Sequence, residues 1–249
     1  MGAVIELIFS IFVFLTKVNK KNMLIVIEGL DGAGKSTQVK RLKEYIISKE
    51  LDLKYIHFPR YNASMYGELI GKFLRGDFGA IDQVHPQLVA LLFAEDRADA
   101  STQMKEWLAE GSCVLLDRYV YSNIAYQCSK LKCKEEAQEL KKWIFNTEYN
   151  TFCIPKPDLN IFLDVPISFV DKKLKESRKD DSEREYLNGK GDIHEADIEF
   201  QIGVRELYLQ QCAEDSNFIR VDCADAEGNM LLPDEIFFKL QQVVKNVIG

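Results

Sequence analysis

Hydrophobic positions in this chain fall into short continuous runs, separated by longer stretches in which apolar residues recur every three or four positions. The continuous runs cover residues 24–27, 53–58, 113–116, 159–165 and 218–221. Continuous apolar runs of this length are typical of strands that are buried on both faces of a parallel sheet. The pattern therefore predicts five parallel strands.

The stretches between these runs have helical spacing. Residues 36–47 place Val39, Leu42 and Ile46 on one face, and residues 87–110 show the same period. Alternation of strands with helices is typical of the doubly wound α/β fold, in which helices flank a parallel sheet. We expect a five-stranded sheet of this kind.

Composition and charge narrow the class of protein. The chain has 249 residues, of which 47% are hydrophobic and 29% charged, as is usual for a globular domain with one core. We predict one domain over residues 23–249. A formal net charge of −7 argues against nucleic acid as a partner. The six cysteines are scattered and lack metal-ligand spacing, so we expect reduced thiols, no zinc site and a cytoplasmic protein.

The first 22 residues differ from the rest of the chain. Residues 3–15 are almost wholly apolar, and Lys17, Lys20 and Lys21 follow them. Thirteen residues are too few to span a bilayer, and the flanks of a secretory signal are missing. We interpret residues 1–22 as an upstream extension or weak anchor, with translation able to begin at Met23, and expect no stable membrane association.

A glycine-rich segment follows the first predicted strand directly. Residues 29–37 read Gly-Leu-Asp-Gly-Ala-Gly-Lys-Ser-Thr, which fits the Walker A pattern. Its backbone N–H groups and the following helix N-terminus would cradle phosphates, Lys35 would contact the β and γ phosphates, and Ser36 would bind Mg²⁺. The predicted ATP-binding residues of this loop are Gly29, Asp31, Gly32, Ala33, Gly34, Lys35, Ser36 and Thr37.

Ligands of doubly wound folds bind beyond the carboxyl ends of the strands. This rule brings Asp31, Phe58-Pro59-Arg60 and Asp117-Arg118-Tyr119 to one crevice. We expect Arg60 and Arg118 to clamp an acceptor phosphate, because the planar fork of arginine matches phosphate oxygens. Asp117 follows four apolar residues as a Walker B acid does, so we expect it to organise Mg²⁺ together with Ser36.

The segment 174–193 is dense in charge. By composition it could be a solvated helix end and loop. We interpret it as a mobile lid, because phosphoryl transfer requires that water be excluded and that a cation reach the reacting oxygens on closure.

From Met23 onward the sequence resembles the thymidylate kinases. The matching segments, in the order and spacing of that family, are residues 28–37, 58–60, 91–97 (Leu-Leu-Phe-Ala-Glu-Asp-Arg), 117–122 (Asp-Arg-Tyr-Val-Tyr-Ser), 125–127 (Ala-Tyr-Gln) and 155–158 (Pro-Lys-Pro-Asp). Many unrelated enzymes share the Walker A loop, so the specificity of the match comes from its combination with the later segments.

The resemblance implies how the base of the acceptor is recognised. Phe93 and Arg97 are four residues apart on a predicted helix and therefore share a face. The resemblance implies that Phe93 stacks on thymine, that Arg97 bonds a base carbonyl, and that Ser122 or Asn123 completes the base edge. Core packing is the alternative role for Phe93.

Other dTMP-binding residues follow from the same resemblance. Phe58 and Pro59 would line the acceptor site, and Asp31 would lie near the acceptor's sugar and the metal. The ring of Tyr126 would crowd the 2′ position of the sugar, which favours deoxyribose.

One position of the loop varies within the family. Some thymidylate kinases carry an arginine where this chain has Gly32, and others with glycine there take the catalytic cation from the lid. We therefore expect Arg178, with Arg184 as the alternative, to contact ATP. His194 is expected to lie at the surface or at a helix start rather than to act in catalysis.

The resemblance implies a homodimeric, ATP- and Mg²⁺-dependent kinase that converts dTMP to dTDP for dTTP synthesis. Catalysis would rest on Lys35, Arg118, Arg178 and Asp31. No general base is needed, because the second pKa of a nucleotide monophosphate is near ~6. The alternatives are a kinase of another pyrimidine monophosphate or of a deoxynucleoside and, in a different class, a P-loop nucleotide switch.

Overall fold

The computed structural model describes residues 22–177, 187, 190–195 and 197–248. The strands are β1 (Met23–Gly29), β2 (Leu53–His57), β3 (Cys113–Asp117), β4 (Leu159–Asp164) and β5 (Phe218–Asp222). The helices are α1 (Lys35–Ser48), α2 (Met65–Leu74), α3 (Pro86–Ala109), α4 (Val120–Cys128), α5 (Lys134–Phe145), α6 (Ile167–Ser177), α7 (Ile198–Glu214) and α8 (Pro233–Ile248). A π-helix, Asn146–Thr151, continues α5.

The strands form one parallel sheet in the order β2-β3-β1-β4-β5. All five predicted strands are present, and the predicted fold class is confirmed. Strand β1 lies at the centre and pairs with β3 on one side and β4 on the other. The chain builds the sheet on the β3 side of β1 first and then on the β4 side, and in such folds ligands bind at this point, beyond the carboxyl ends of the strands.

Burial explains why the central strands could be predicted from the sequence. Every residue of β1, β3 and β4 is buried, as a continuous apolar run predicts. The edge strand β2 has no buried residue, and the edge strand β5 buries only Phe218 and Val221. Helix α1 buries Val39, Leu42 and Ile46 against the sheet, which matches the predicted face.

Two predicted features fall wholly or largely outside the described residues. Residues 1–21 of the N-terminal extension are one of them. The other is the middle of the predicted lid, including Arg178 and Arg184. No helix in the described part of the chain is both long and apolar enough to cross a membrane.

Candidate active site

The glycine-rich loop joins β1 to α1 and presents the start of that helix. Gly32 and Gly34 have φ angles of 70° and 71°, which favour glycine. A Cβ at position 32 would also lie 3.1 Å from the Cβ of Lys173. Gly34 is the N-cap of α1, and within the described residues no side chain caps the helix, so its first N–H groups are available to an anion.

Lys35 lies buried in this loop. Its Nζ donates to the carbonyl oxygens of Gly29 at 3.1 Å and Leu30 at 2.8 Å. Burial, followed by the positive charge of Arg118, lowers the pKa of Lys35 to about 8. A phosphate group would offset both effects, so the position suits a lysine that binds phosphate.

Asp117 ends β3 beside the loop. Its Oδ2 lies 3.1 Å from Nδ1 of His57, and its buried Oδ1 has no partner among the described residues. Burial alone would raise the pKa of Asp117, but the His57 hydrogen bond and the Lys35 charge outweigh burial and hold that pKa below its usual value.

Hard oxygen donors at this place fit a magnesium ion. An orphaned carboxylate oxygen on Asp117 can accept a metal-bound water, and Ser36 stands exposed in the first turn of α1. His57 was not predicted as a site residue. The sequence signal was that His57 lies at the carboxyl end of the second apolar run, and the strand register then sets it opposite Asp117.

Asp31 forms the centre of a polar cluster. Its Oδ1 accepts from Nη2 of Arg118 at 2.6 Å, and its Oδ2 accepts from the Tyr126 hydroxyl at 2.8 Å and from Nε2 of Gln201 at 3.2 Å. Burial would raise the pKa of Asp31, but the charges of Arg118 and Lys35 outweigh it and lower the pKa to about 2. The carboxylate is therefore ionised at neutral pH.

Arg118 has an unusual backbone. Its φ of 69° is rare for a residue with a side chain, and strain of about 1–3 kcal/mol is typical of such positions at functional sites. Its N–H donates to Ile27 at 2.9 Å, and Nη1 donates to Oγ of Ser122 at 3.3 Å. The guanidinium is thereby directed between the loop and α4.

A pocket of about 510 Å³, measured with its open mouth, adjoins this cluster. The predicted dTMP-binding residues that line it are Asp31, Phe58, Pro59, Phe93, Arg97, Arg118, Ser122, Asn123 and Tyr126. The structure thus brings together all the predicted acceptor residues except Arg60.

Arg60 is held away from the pocket by acidic residues of α3. Its Nε and N–H donate to the carboxylate of Asp96 at 3.0 and 2.9 Å, and Nη2 donates to Asp99 at 2.7 Å. In this arrangement Arg118 is the predicted clamp that lines the pocket. The role of Arg60 as a second clamp stays a prediction.

Arg97 and Asn123 share a buried partner that the sequence analysis missed. The carboxylate of Glu148 accepts from Nε and Nη2 of Arg97 at 2.5 and 2.7 Å, and from Nδ2 of Asn123 at 3.0 Å. Oδ1 of Asn123 is buried without a partner among the described residues. Phe93, half-buried, completes this wall of the pocket.

The hydroxyl of Ser122 belongs to a second buried network of hydrogen bonds. It bonds the carboxylate of Glu28 and lies 2.7 Å from the Tyr208 hydroxyl. Of the two residues expected at the base edge, Asn123 is the one with an unused acceptor. Glu28 and Tyr208 were not predicted to support the site.

The expected position of His194, at the surface or at a helix start, was wrong. This residue is 4% exposed and lies in the pocket wall, where its ring packs against those of Tyr126 at 5.3 Å, Phe200 at 5.4 Å and Phe73 at 5.5 Å. Burial, with the nearby charge of Lys130, lowers the pKa of His194 well below its usual value. The imidazole is therefore neutral. The reason for the error is that its three aromatic neighbours come from separate elements.

A phosphate loop that faces a second pocket across a strand-end arginine defines a P-loop kinase. The family model described as thymidylate kinase matches residues 27–230. The chain therefore belongs to the thymidylate kinase family.

Similar proteins agree with this assignment. The chain is 31% identical to the thymidylate kinase of Mycobacterium tuberculosis (strain CDC 1551 / Oshkosh) over 77% of this chain and 86% of that one. It is 37% identical to a probable thymidylate kinase of Thermococcus onnurineus over 76% and 83%. The thymidylate kinase structure from Candida albicans matches with a TM-score of 0.63 and 26% identity, and the match covers 92% of this chain and 94% of that chain.

Proposed function

We propose that the protein transfers the γ-phosphoryl group of ATP to dTMP, giving ADP and dTDP for dTTP synthesis. The observation that carries the proposal is the meeting of the donor loop and the acceptor pocket at Asp31. This carboxylate bonds Arg118 in the pocket and interacts with the charge of Lys35 in the loop. Two anionic substrates can thus be held end to end between fixed cations.

Thymine is recognised in the pocket by a ring and two polar groups. Phe93 offers a half-buried ring for stacking, and Arg97 offers a guanidinium N–H to a base carbonyl. The free Oδ1 of Asn123 accepts from the ring N–H. Tyr126, bonded to Asp31, lies against the sugar and leaves little room for a 2′-hydroxyl.

The phosphates are bound by fixed positive groups. Lys35 and the loop N–H groups hold ATP, and Arg118 holds the phosphate of dTMP. Ser36 and Asp117 would hold Mg²⁺, whose contribution when bound is to neutralise charge on the phosphate oxygens. No side chain need remove a proton, because the attacking phosphate oxygen is already anionic at neutral pH.

The predicted lid, residues 174–193, supplies a further positive charge to the phosphates. We propose that Arg178, or else Arg184, brings a cation to the transferred group when the lid closes. Both residues lie outside the described part of the chain.

The proposal is tested by a coupled assay of ADP release with dTMP, dUMP, UMP and thymidine as acceptors. We expect dTMP-dependent release, with dUMP used about 10- to 200-fold less efficiently because the thymine methyl contributes only about 1–3 kcal/mol. Preference for thymidine would overturn the assignment to a monophosphate kinase. Hydrolysis of ATP that is independent of any acceptor would favour a nucleotide switch.

Two further properties belong to the same proposal. Exposed apolar side chains along α2, α3 and their connection, those of Met65, Phe78 and Leu88, support a homodimer. The cysteines are all free thiols, which supports a cytoplasmic location.

A further inference from the structure

Glu148 is a fully buried carboxylate that stands one layer behind the acceptor pocket. It lies in the π-helix Asn146–Thr151, a type of turn that is often found at functional sites. Its Oε2 accepts from Nε of Arg97 at 2.5 Å, and its Oε1 accepts from Nη2 of Arg97 at 2.7 Å and from Nδ2 of Asn123 at 3.0 Å. One carboxylate therefore holds both residues that face the base.

These bonds decide which atom of each residue remains for a ligand. With Nε and Nη2 of Arg97 bound to Glu148, its Nη1 is the guanidinium nitrogen without a partner among the described residues. Nδ2 of Asn123 is shared between Glu148 and the carbonyl of Ala90 at 3.0 Å. The amide of Asn123 is thereby fixed in one orientation, with Oδ1 as the unused acceptor.

Arg97 and Asn123 consequently present one donor and one acceptor to the pocket. Thymine and uracil carry a carbonyl acceptor at position 4 and an N–H donor at position 3, which complement this pair. Cytosine carries an amino donor at position 4 and an acceptor nitrogen at position 3, the reverse pattern. A cytosine base would place donor against donor and acceptor against acceptor, and would leave buried groups unpaired.

We propose that Glu148 is the positioning residue that makes the site select thymine or uracil over cytosine, by fixing the donor of Arg97 and the acceptor of Asn123. This inference rests on the proposed function and deepens it. Glu148 does not line the pocket itself, so its effect on the substrate is transmitted through these two side chains.

The substitution Glu148→Gln tests the proposal. The glutamine amide donates where the carboxylate accepted, so it repels either Arg97 or Nδ2 of Asn123. Loss of either bond loosens the orientation of Arg97 or of Asn123, so the pocket discriminates less sharply between thymine and cytosine.

Steady-state kinetics with dTMP and dCMP measure the result. We expect KM for dTMP to rise about tenfold or more with kcat within about threefold, since a lost charge-assisted bond changes binding by that much. The ratio of kcat/KM for dTMP to that for dCMP should fall at least about tenfold. A folded Glu148→Gln protein with wild-type KM and ratio would overturn the proposal.

A matched control separates base selection from general loosening. Asp164 is also a buried carboxylate, bound to Arg205 at 2.6 Å and Arg220 at 2.7 Å, and it does not line the pocket. Asp164→Asn should lower the melting temperature without changing the ratio for the two bases. An equal change of the ratio in this variant would count against a specific role for Glu148.

A second variant decides the outcome if Glu148→Gln fails to fold. Glu148→Asp keeps the charge but is one methylene shorter, so it cannot reach both partners. The ratio of kcat/KM for dTMP to that for dCMP should fall, but less than in Glu148→Gln. An unchanged ratio would contradict the inference. A wild-type enzyme that does not phosphorylate dTMP refutes the proposed function itself. An active wild-type enzyme with unaltered variants refutes only the role of Glu148.

Discussion

Single residues around Asp31 have protonation states set by their neighbours. The positive charges of Arg118 and Lys35 keep the pKa of Asp31 at about 2 despite burial, while burial and Arg118 lower that of Lys35 to about 8. The site thus holds an ionised acid beside a lysine that can lose its proton slightly above neutral pH. The triphosphate would restore the charge of that lysine.

Proton uptake on ATP binding should reveal this property of Lys35. With a pKa of about 8 in the free protein, Lys35 is largely neutral at pH 8.5, and bound phosphate raises its pKa. ATP should then bind with uptake of about three quarters of a proton at pH 8.5, and with none through Lys35 at pH 6.5.

Calorimetry in two buffers of different ionisation enthalpy measures the uptake. The matched control is Lys35→Arg, because arginine stays charged and should abolish the uptake. Equal uptake in both proteins would assign the proton to another group.

Arg118 should determine binding of the acceptor. Arg118→Met should raise KM for dTMP by about 10- to 100-fold, because a charge-assisted hydrogen bond contributes about 1.5–3 kcal/mol. Arg220, which pairs with Asp164 outside the pocket, provides the control, and Arg220→Met should leave KM for dTMP unchanged. Similar KM values for the two variants would remove Arg118 from the acceptor site.

Among the elements, α4 depends on another part of the chain for its cap. Tyr119, its N-cap residue, provides no side-chain cap within the described structure. Glu28 of β1 takes that role, since its Oε1 accepts from the N–H groups of Tyr119 at 2.9 Å and Ser122 at 3.2 Å. The start of the helix next to Arg118 is therefore tied to the central strand.

Removal of this remote cap should destabilise the protein. Glu28→Ala leaves several buried donors unpaired, so the free energy of unfolding should fall by about 3 kcal/mol or more. Burial raises the pKa of Glu28, so the neutral, similarly shaped Glu28→Gln should cost clearly less. Urea denaturation at pH 7, followed by circular dichroism, compares the two variants. Equal losses would show that the hydrogen bonds to Glu28 do not stabilise α4.

On the scale of the whole molecule, α2 and α3 each expose an apolar side chain near the start of the helix. Leu88 and Met65 are 60% and 66% exposed, whereas Phe73 and Val89 of the same helices are fully buried. A homodimer that buries Leu88 and Met65 would cover side chains that water otherwise contacts.

Light scattering after size exclusion tests the dimer. The wild-type protein should elute as a dimer, and Leu88→Glu should shift it toward monomer by burying a charge in the interface. Phe238→Glu is the control, because Phe238 is equally exposed, at 63%, but lies on α8. A wild-type monomer, or dissociation by both variants, would contradict an interface at α2 and α3.

The sequence by itself determined the strands, their parallel class and the crevice at their carboxyl ends. Those features depend on local patterns: a continuous apolar run marks a buried strand, and a Walker A loop marks a phosphate site whatever surrounds it. The strand-end rule and the family resemblance together named nine pocket-lining residues that the structure does bring together.

Only the tertiary structure decided how those residues are held. Glu148 is 51 residues from Arg97, and Gln201 is 170 residues from Asp31, so no periodicity links the partners. The burial of His194 and the turn of Arg60 toward Asp96 are likewise contacts between separate elements. The physical reason is that a side chain's pKa and its free hydrogen-bonding atoms depend on neighbours in space, which the fold selects and sequence spacing does not record.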